Sequence, residues 1–363
     1  MKKILIVTNH SYMLYRFREE LIDRLLKEYN VVISTPFTGH ESDLKKMGCK
    51  CICTNIDRRG INPLKDLKLM GFYRKMLAKE KPDAVITYSI KPNIYVGTLC
   101  RFKKIPYFVN VQGLGSAFES KKLAVLASAM YKVGVKKARA VFFENSGDAQ
   151  VFINRHIIKR EKIEVLAGAG INLEKYEYKE FPKEDVRHFL YLGRIMKEKG
   201  IDEWFYAVEK LKKEYGDKIM FDMVGFFEDE YKEKVEQLQK KGVIVFHGFK
   251  KDPVPYYEQA ACVVLPSYHE GMSNVLLEAS AIGRPIITSN IPGCREAVLE
   301  GESGFLCPPS NREELYKAMK KIMNMTTEEL EEMGKKGREY IAMHFEKKMV
   351  VNKTVDTMKR KYR

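Results

Sequence analysis

Two cations and two carboxylates in the second half of the chain have the types and spacing of a site for an anionic, hydroxyl-rich ligand. Gly193-Arg194-Ile195-Met196-Lys197-Glu198-Lys199-Gly200 follows an apolar run and leads into a helical pattern. A guanidinium fork and an ammonium just ahead of a helix N-terminus suit a diphosphate. Alone this is a weak signal, because charged loops are usually just solvated. The sharper segment is Ser267-Tyr268-His269-Glu270-Gly271-Met272-Ser273-Asn274-Val275-Leu276-Leu277-Glu278, which follows Cys262-Val263-Val264-Leu265-Pro266. Gly271 lets backbone approach a ligand, and Ser273 or Asn274 can cap the helix that opens there. The N–H groups and dipole of that helix favour a phosphate. Glu270 and Glu278 flank the turn with no cation nearby in sequence, and carboxylates accept the paired hydroxyls of a sugar or ribose. Metal ligation is the competing reading, but the chain has no Asp-x-Asp pair to complete such a site. Cys49-Lys50-Cys51-Ile52-Cys53 reads as one strand, without a His or second Cys pair at zinc spacing. No metal is expected.

These loops need a scaffold, and the hydrophobic pattern supplies one. Strands are predicted at 3–8, 31–34, 50–54, 84–88, 106–110, 140–143 and 163–166, then at 188–192, 219–224, 243–247, 262–266, 285–288 and 304–306. Helical patterns lie between them at about 16–28, 40–47, 63–80, 92–103, 120–137 and 146–156, then 200–215, 229–241, 254–260, 273–283, 311–323 and 327–344. Strands separated by helices pair in parallel. The predicted class is α/β with two doubly wound, Rossmann-like domains, 1–170 and 171–345, and a closing Lys-rich helix within 346–363. The boundary falls at Ala167-Gly168-Ala169-Gly170-Ile171-Asn172-Leu173, followed by charged, Pro-containing sequence to Pro182. Such sheets bind ligands at the carboxyl ends of their strands, at the switch point of strand order. Two of them are expected to leave a cleft between those edges.

At 363 residues the chain is long enough for two domains. Its net charge is +16, and residues 1–170 carry all of it, with 31 Lys and Arg against 15 Asp and Glu. A basic half beside a neutral half implies a polyanionic partner, a phosphorylated substrate or an anionic surface. A nucleic-acid binder is disfavoured, since zinc spacing, an RRM signature and an Arg-rich tail are all missing. Seven cysteines without framework spacing read as reduced thiols of a cytoplasmic protein. The apolar stretch near Met1 is too short for a signal peptide, and no run approaches the length of a membrane span.

Gly193-Arg194 with Lys199-Gly200, followed by Glu270-x7-Glu278, resembles the retaining glycosyltransferases of family 4, which have the GT-B fold. The resemblance covers the whole chain. The segment from Gly170 to Tyr176 looks like the family's hinge, and the last helix looks like the one that crosses back to the first domain. It implies that Arg194 and Lys199 hold the donor diphosphate, Glu278 the ribose hydroxyls and Glu270 the transferred sugar, with Arg194, Lys199 and Glu270 as the catalytic set. Gly271, Met272, Ser273, Asn274 and Val275 would complete the donor contacts, with Gly225, Phe249 and Lys250 at the base. It also implies a nucleotide-diphosphate sugar, UDP-linked, as co-substrate, no cofactor or metal, and retention of configuration.

In the first half, Asn9-His10-Ser11-Tyr12, Ser89-Ile90-Lys91-Pro92-Asn93-Ile94-Tyr95 and Gln112-Gly113-Leu114-Gly115-Ser116-Ala117-Phe118 are predicted as loops leaving strand ends. Asn9 and His10 stand where the family often has a Gly-Gly pair, and His10 suits a capping or a catalytic role equally. Gln112 stands where many members have His and can only hydrogen-bond. The last two loops look like a narrower group that extends polyprenyl-diphosphate-linked saccharides in capsule, O-antigen or protein-glycosylation pathways. That resemblance assigns Asn9, His10, Tyr12, Lys91, Asn93, Gln112 and Gly113 to the acceptor and puts the protein at the inner face of the membrane. Residues 121–137, apolar between lysine pairs, read as either an interfacial helix or a core helix with basic ends. A soluble sugar or sugar-phosphate acceptor remains an alternative. A UDP-N-acetylhexosamine 2-epimerase is another, separable by incubation with the nucleotide sugar alone.

Overall fold

The computed structural model describes residues 1–56, 62–115, 118 and 121–362. It divides into two units, Met1–Ala169 with Lys347–Arg363, and Gly170–Glu346. In the first unit strands and helices alternate as β1 (Lys2–Val7), α1 (Ser11–Leu26), β2 (Tyr29–Thr35), α2 (Glu41–Lys46), β3 (Lys50–Cys53), α3 (Pro63–Glu80) and β4 (Ala84–Tyr88). They continue as α4 (Ile90–Lys103), β5 (Tyr107–Val111), α5 (Lys121–Gly134), β6 (Ala140–Phe143), α6 (Ser146–Asn154) and β7 (Ile163–Val165). The second unit runs β8 (Arg187–Leu192), α7 (Ile201–Tyr215), β9 (Ile219–Val224), α8 (Lys232–Lys240), β10 (Val245–Gly248), α9 (Val254–Gln259) and β11 (Cys262–Leu265). It closes with α10 (Asn274–Ile282), β12 (Ile286–Ser289), β13 (Gly304–Cys307), α11 (Arg312–Met323) and α12 (Thr327–Phe345), after which α13 (Lys347–Tyr362) packs on the first unit.

All strand pairs are parallel, in the orders β3-β2-β1-β4-β5-β6-β7 and β10-β9-β8-β11-β12-β13. Each order reverses once, between β1 and β4 and between β8 and β11, so these are the two switch points. The central strands of the first sheet are buried throughout, as a sheet covered on both faces requires. One face packs α3, α4, α5 and α6 through Tyr73, Ile94, Tyr131 and Phe152. The other packs α1, α2 and α13, the last through Val350, Val351, Val355 and Met358.

Because α13 joins it, the first unit holds 38 Lys and Arg against 16 Asp and Glu, a net of +22. The second unit holds 26 against 32, a net of −6. Charge is therefore divided more sharply in the folded units than along the chain. Ile171, Tyr176 and Phe181 are buried, and Lys179 N–H donates to Ile282 O at 3.0 Å, so residues 170–182 belong to the second unit's fold.

Two loops of the first unit are shorter than the sequence suggests. α1 begins at Ser11, because His10 takes the cap position and its Nδ1 accepts from Met13 N–H at 3.4 Å. α4 begins at Ile90, with Pro92 in its first turn, where a missing N–H costs nothing.

Candidate functional site

The second unit places its two chemistry-bearing loops side by side at the β8/β11 switch point. One leaves β8 through Gly193 and Arg194, makes a short 3-10 turn over Lys197–Lys199 and enters α7. The other leaves β11 and enters α10. They are tied by Tyr268 N–H donating to Glu198 O at 2.8 Å. Gly200 adopts φ +67° and lies so close to the second loop that a Cβ there would stand 2.0 Å from Pro266 O. A Cβ on Gly225 would likewise meet Gly193 O at 1.8 Å. Gly225 thus fits as a packing requirement that brings the end of β9 against the Arg194 loop.

The side chains converge on carboxylates. Lys199 Nζ makes an ion pair with Glu270 Oε1, which also accepts from Ser267 Oγ at 2.9 Å. Glu270 therefore has its cation, supplied from 71 residues upstream where sequence spacing showed none. Arg194, half exposed, reaches Glu228 Oε2 at 3.3 Å. Glu278 is buried, with Oε1 accepting from Tyr176 O–H at 2.8 Å and Oε2 from Tyr257 O–H at 2.9 Å. Tyr257 is itself braced by the fully buried Arg284, whose Nε donates to Tyr257 O at 2.9 Å while its other nitrogens hold the carbonyls of Lys179, Glu180 and Glu258. Burial pulls the Arg284 guanidinium down to about 10. Sequence reasoning missed Glu228, Tyr257 and Arg284, and it read Tyr176 only as hinge.

Around this cluster Gly271, Met272 and Ser273 are buried, and Asn274 and Val275 half-buried. Ser273 holds the N-cap position of α10, but its side chain makes no capping bond. That part of the expectation is corrected, and the helix's first-turn amides have no side-chain cap to displace. Phe226 and Phe249, beyond the ends of β9 and β10, are exposed and meet edge to face at 6.0 Å. Lys250 Nζ lies 5.9 Å from the Tyr256 ring. Exposed aromatic faces at a sheet's carboxyl edge can stack on a base.

In the first unit the β1/β4 switch point joins Asn9 to Ser89, whose Oγ donates to Asn9 Oδ1 at 2.6 Å. Ser89 has φ +70°, a conformation that costs a non-glycine residue energy. Lys91 pairs with Asp66 at 2.8 Å, and Tyr95 beside them is pushed up to about 12 by burial and by Asp66. The Tyr12 phenol oxygen accepts from Arg16 at 3.0 Å, and Gln112 Nε2 faces Met13 Sδ at 3.2 Å. Gly113 takes φ +125°. Asn93 is fully buried and donates to Asn110 O at 2.8 Å, so it braces β5 rather than presenting an acceptor contact. Of the third loop, Ser116 and Ala117 lie outside the described residues. Among the described residues no group of three His, Cys, Asp or Glu side chains is placed to hold a metal, and no helix is long and apolar enough to cross a membrane.

A second polar cluster, also missed, crosses three strands. Asp222 on β9 accepts at 2.7 Å from His188 on β8 and at 2.7 Å from His247 on β10. The hydrogen bond to Asp222 raises His188 against the opposing effect of burial. Burial alone would raise Asp222, but its two histidine partners pull it below the usual carboxylate range. A raised His stabilises fully below its unfolded value of 6.5 and loses that contribution as pH rises through the higher folded value. A depressed Asp contributes above 3.8 and loses it only as pH falls through the lower folded value. The cluster therefore stabilises most between these limits. His188→Asn is expected to lower Tm more at about pH 5.5 than at about pH 8.5 in thermal unfolding; equal losses would remove the charge coupling.

Two family models match, one in each unit: Glycosyl transferase 4-like over residues 3–145 and Glycosyl transferases group 1 over residues 174–340. The chain is 28% identical over 321 residues to the N,N'-diacetylbacillosaminyl-diphospho-undecaprenol alpha-1,3-N-acetylgalactosaminyltransferase of Campylobacter jejuni, covering 83% of this chain and 84% of that protein. It is 27% identical over 287 residues to the UDP-Gal:alpha-D-GlcNAc-diphosphoundecaprenol alpha-1,3-galactosyltransferase of Escherichia coli, covering 73% and 72%. Among solved structures, Anabaena HepE in complex with UDP and glucose superposes with a TM-score of 0.80 at 16% identity, over 99% of this chain and 100% of that one. With a glycosyltransferase model on each unit and the same two-sheet architecture over its whole length, the chain belongs to the GT-B glycosyltransferases of family 4.

Proposed function

We propose that this glycosyltransferase is retaining and metal-independent. In this reading it moves a hexose or N-acetylhexosamine from a UDP-sugar to a polyprenyl-diphosphate-linked saccharide at the cytoplasmic face of the membrane. The observation that carries the donor half is the Lys199–Glu270 pair set beside Arg194 at the switch point, with Glu278 buried close in sequence on α10. Arg194 and Lys199 offset the charge that develops on the leaving diphosphate, aided by the uncapped start of α10. Glu270 accepts from a hydroxyl of the transferred sugar, and Glu278 from the ribose. Phe226 and Phe249 flank the base. The acceptor hydroxyl enters on the face the diphosphate leaves, and the phosphate oxygen takes its proton, so configuration is kept.

The lipid-linked acceptor is supported by the two relatives, whose names give diphosphoundecaprenol-linked saccharides as acceptors. The +22 charge of the first unit fits a diphosphate at an anionic surface. The test is incubation with labelled sugar nucleotides and a bacterial polyprenyl-lipid extract, with and without EDTA. Label is expected in the organic phase in both cases, with the anomeric configuration of the donor by NMR. Label that stays aqueous on a soluble saccharide would overturn the lipid acceptor, and loss of transfer in EDTA would overturn metal independence.

A further inference from the structure

The first two turns of helix α5 are built the wrong way round for a core helix. They bury Ala124 (0% exposed) and Ala127 (7%), yet leave Val125 (66%) and Leu126 (52%) outside, with Leu123 exposed beside them. The hydrophobic effect favours the reverse, since leucine and valine gain more from burial than alanine. The start of α3 likewise leaves Leu64 (74%) and Leu67 (68%) exposed, each followed by an exposed lysine, Lys65 and Lys68.

Both helices cover the same face of the first sheet, on either side of α4. The Lys91–Asp66 pair fixes the first turn of α3 against that of α4. Close packing of Gly134 on Asn93 and Ile94 sets the end of α5 against the early turns of α4. At about 1.5 Å per residue, α5 therefore starts roughly 14 Å beyond the start of α4, past the carboxyl edge of the sheet. The exposed apolar groups thus stand at the edge where Asn9, Ser89 and Lys91 lie. Among the described residues, the exposed side chains of α3 and α5 include no Asp or Glu, while Lys68, Lys75, Lys122 and Lys132 are exposed.

We propose that the start of α3 and the outer side of α5 form the face by which the first unit sits on an anionic lipid bilayer. Leu64, Leu67, Leu123, Val125 and Leu126 enter the boundary between headgroups and acyl chains, and the lysines meet lipid phosphates. Apolar groups flanked by lysines, with no exposed acid among the described residues of α3 and α5, suit a negative bilayer better than a second copy, because pairing identical patches would set the same cations against each other. The choice of a bilayer as partner rests on the lipid-linked acceptor reading, but the surface and its test stand apart from it.

The experiment is sedimentation of the full chain with phosphatidylcholine vesicles, with and without phosphatidylglycerol, at low and high salt. Binding is expected with the anionic vesicles and is expected to fall as salt screens the lysines. The double variant Val125→Ser, Leu126→Ser is expected to weaken it about tenfold, with unchanged Tm and unchanged transfer to a short-chain, water-soluble diphosphate acceptor. Phe102→Ser, an equally exposed site near the end of α4, is expected to leave it intact. Equal binding to neutral vesicles, or no effect of the double variant, overturns the proposal. So does a wild-type dimer in gel filtration that the variant splits, which assigns the face to a second copy. Transfer to lipid-linked acceptor without vesicle binding sinks the surface and keeps the function; binding without such transfer does the opposite.

Discussion

Replacing Lys199 with alanine is expected to lower kcat/KM for the sugar nucleotide by about 10³-fold, mostly through kcat. The ammonium is placed to meet charge that grows on the diphosphate as the glycosidic bond breaks, so its contribution is largest in the transition state. Alanine also strips Glu270 of its cation. The two side chains are only 12% and 14% exposed, so that loss should cost about 1–3 kcal/mol of stability as well. Activity alone therefore does not separate a donor contact from support of Glu270, and a double-mutant cycle does. If Lys199 acts only by holding Glu270, adding Lys199→Ala to Glu270→Gln should change nothing further. If it meets the diphosphate, the double variant should be far slower than Glu270→Gln, even where its Tm recovers. Lys199→Arg should restore stability better than rate, because a planar fork does not reproduce a compact ammonium. Single-turnover kinetics and thermal unfolding on the four proteins decide it. A Lys199→Ala enzyme within about threefold of wild type would remove Lys199 from the donor site.

The strands of both sheets were legible because each is a short β-branched or aromatic run bounded by turn residues, and the parallel topology followed from the helices between them. The starts of α1 and α4 were not. His10 was read as suiting a cap, but the apolar pattern started the helix only at about 16, and Pro92 suggested the first helical position when it holds the third. Arg194, Lys199, Glu270 and Glu278 were legible as types in loops. Their partners were not, because Glu228, Tyr176 and Tyr257 lie 34, 102 and 21 residues away from the groups they touch. Only the strand order brings them together. The exposure of Leu64, Val125 and Leu126 was hidden for a related reason. An apolar residue on a helix reads as core until the packed side of that helix is known; here Leu69, Tyr73, Met76 and Leu77 take it on α3, and Ala124, Ala127 and Tyr131 on α5.

Glu278→Gln is expected to weaken binding of UDP and of the UDP-sugar alike, by about 30- to 100-fold, or roughly 2–3 kcal/mol. A carboxylate offers about four acceptor positions, and the phenols of Tyr176 and Tyr257 account for one on each oxygen. The phenols fix the plane in which the carboxylate meets the hydroxyls of a ribose. Glutamine removes the charge and turns one oxygen into a donor that faces a donor. A purely structural Glu278 predicts something different: Tyr176→Phe, Tyr257→Phe and Glu278→Gln would all lower Tm, and none would change donor affinity. Calorimetry separates the two, because a ribose contact is lost equally with UDP and with UDP-sugar. Glu270→Gln should weaken the UDP-sugar and spare UDP, since Glu270 is assigned to the transferred sugar. A Glu278→Gln protein that binds UDP as wild type does would move the ribose elsewhere. It would leave the buried Tyr–Glu–Tyr arrangement as a device for holding α9, α10 and the segment before β8 in place.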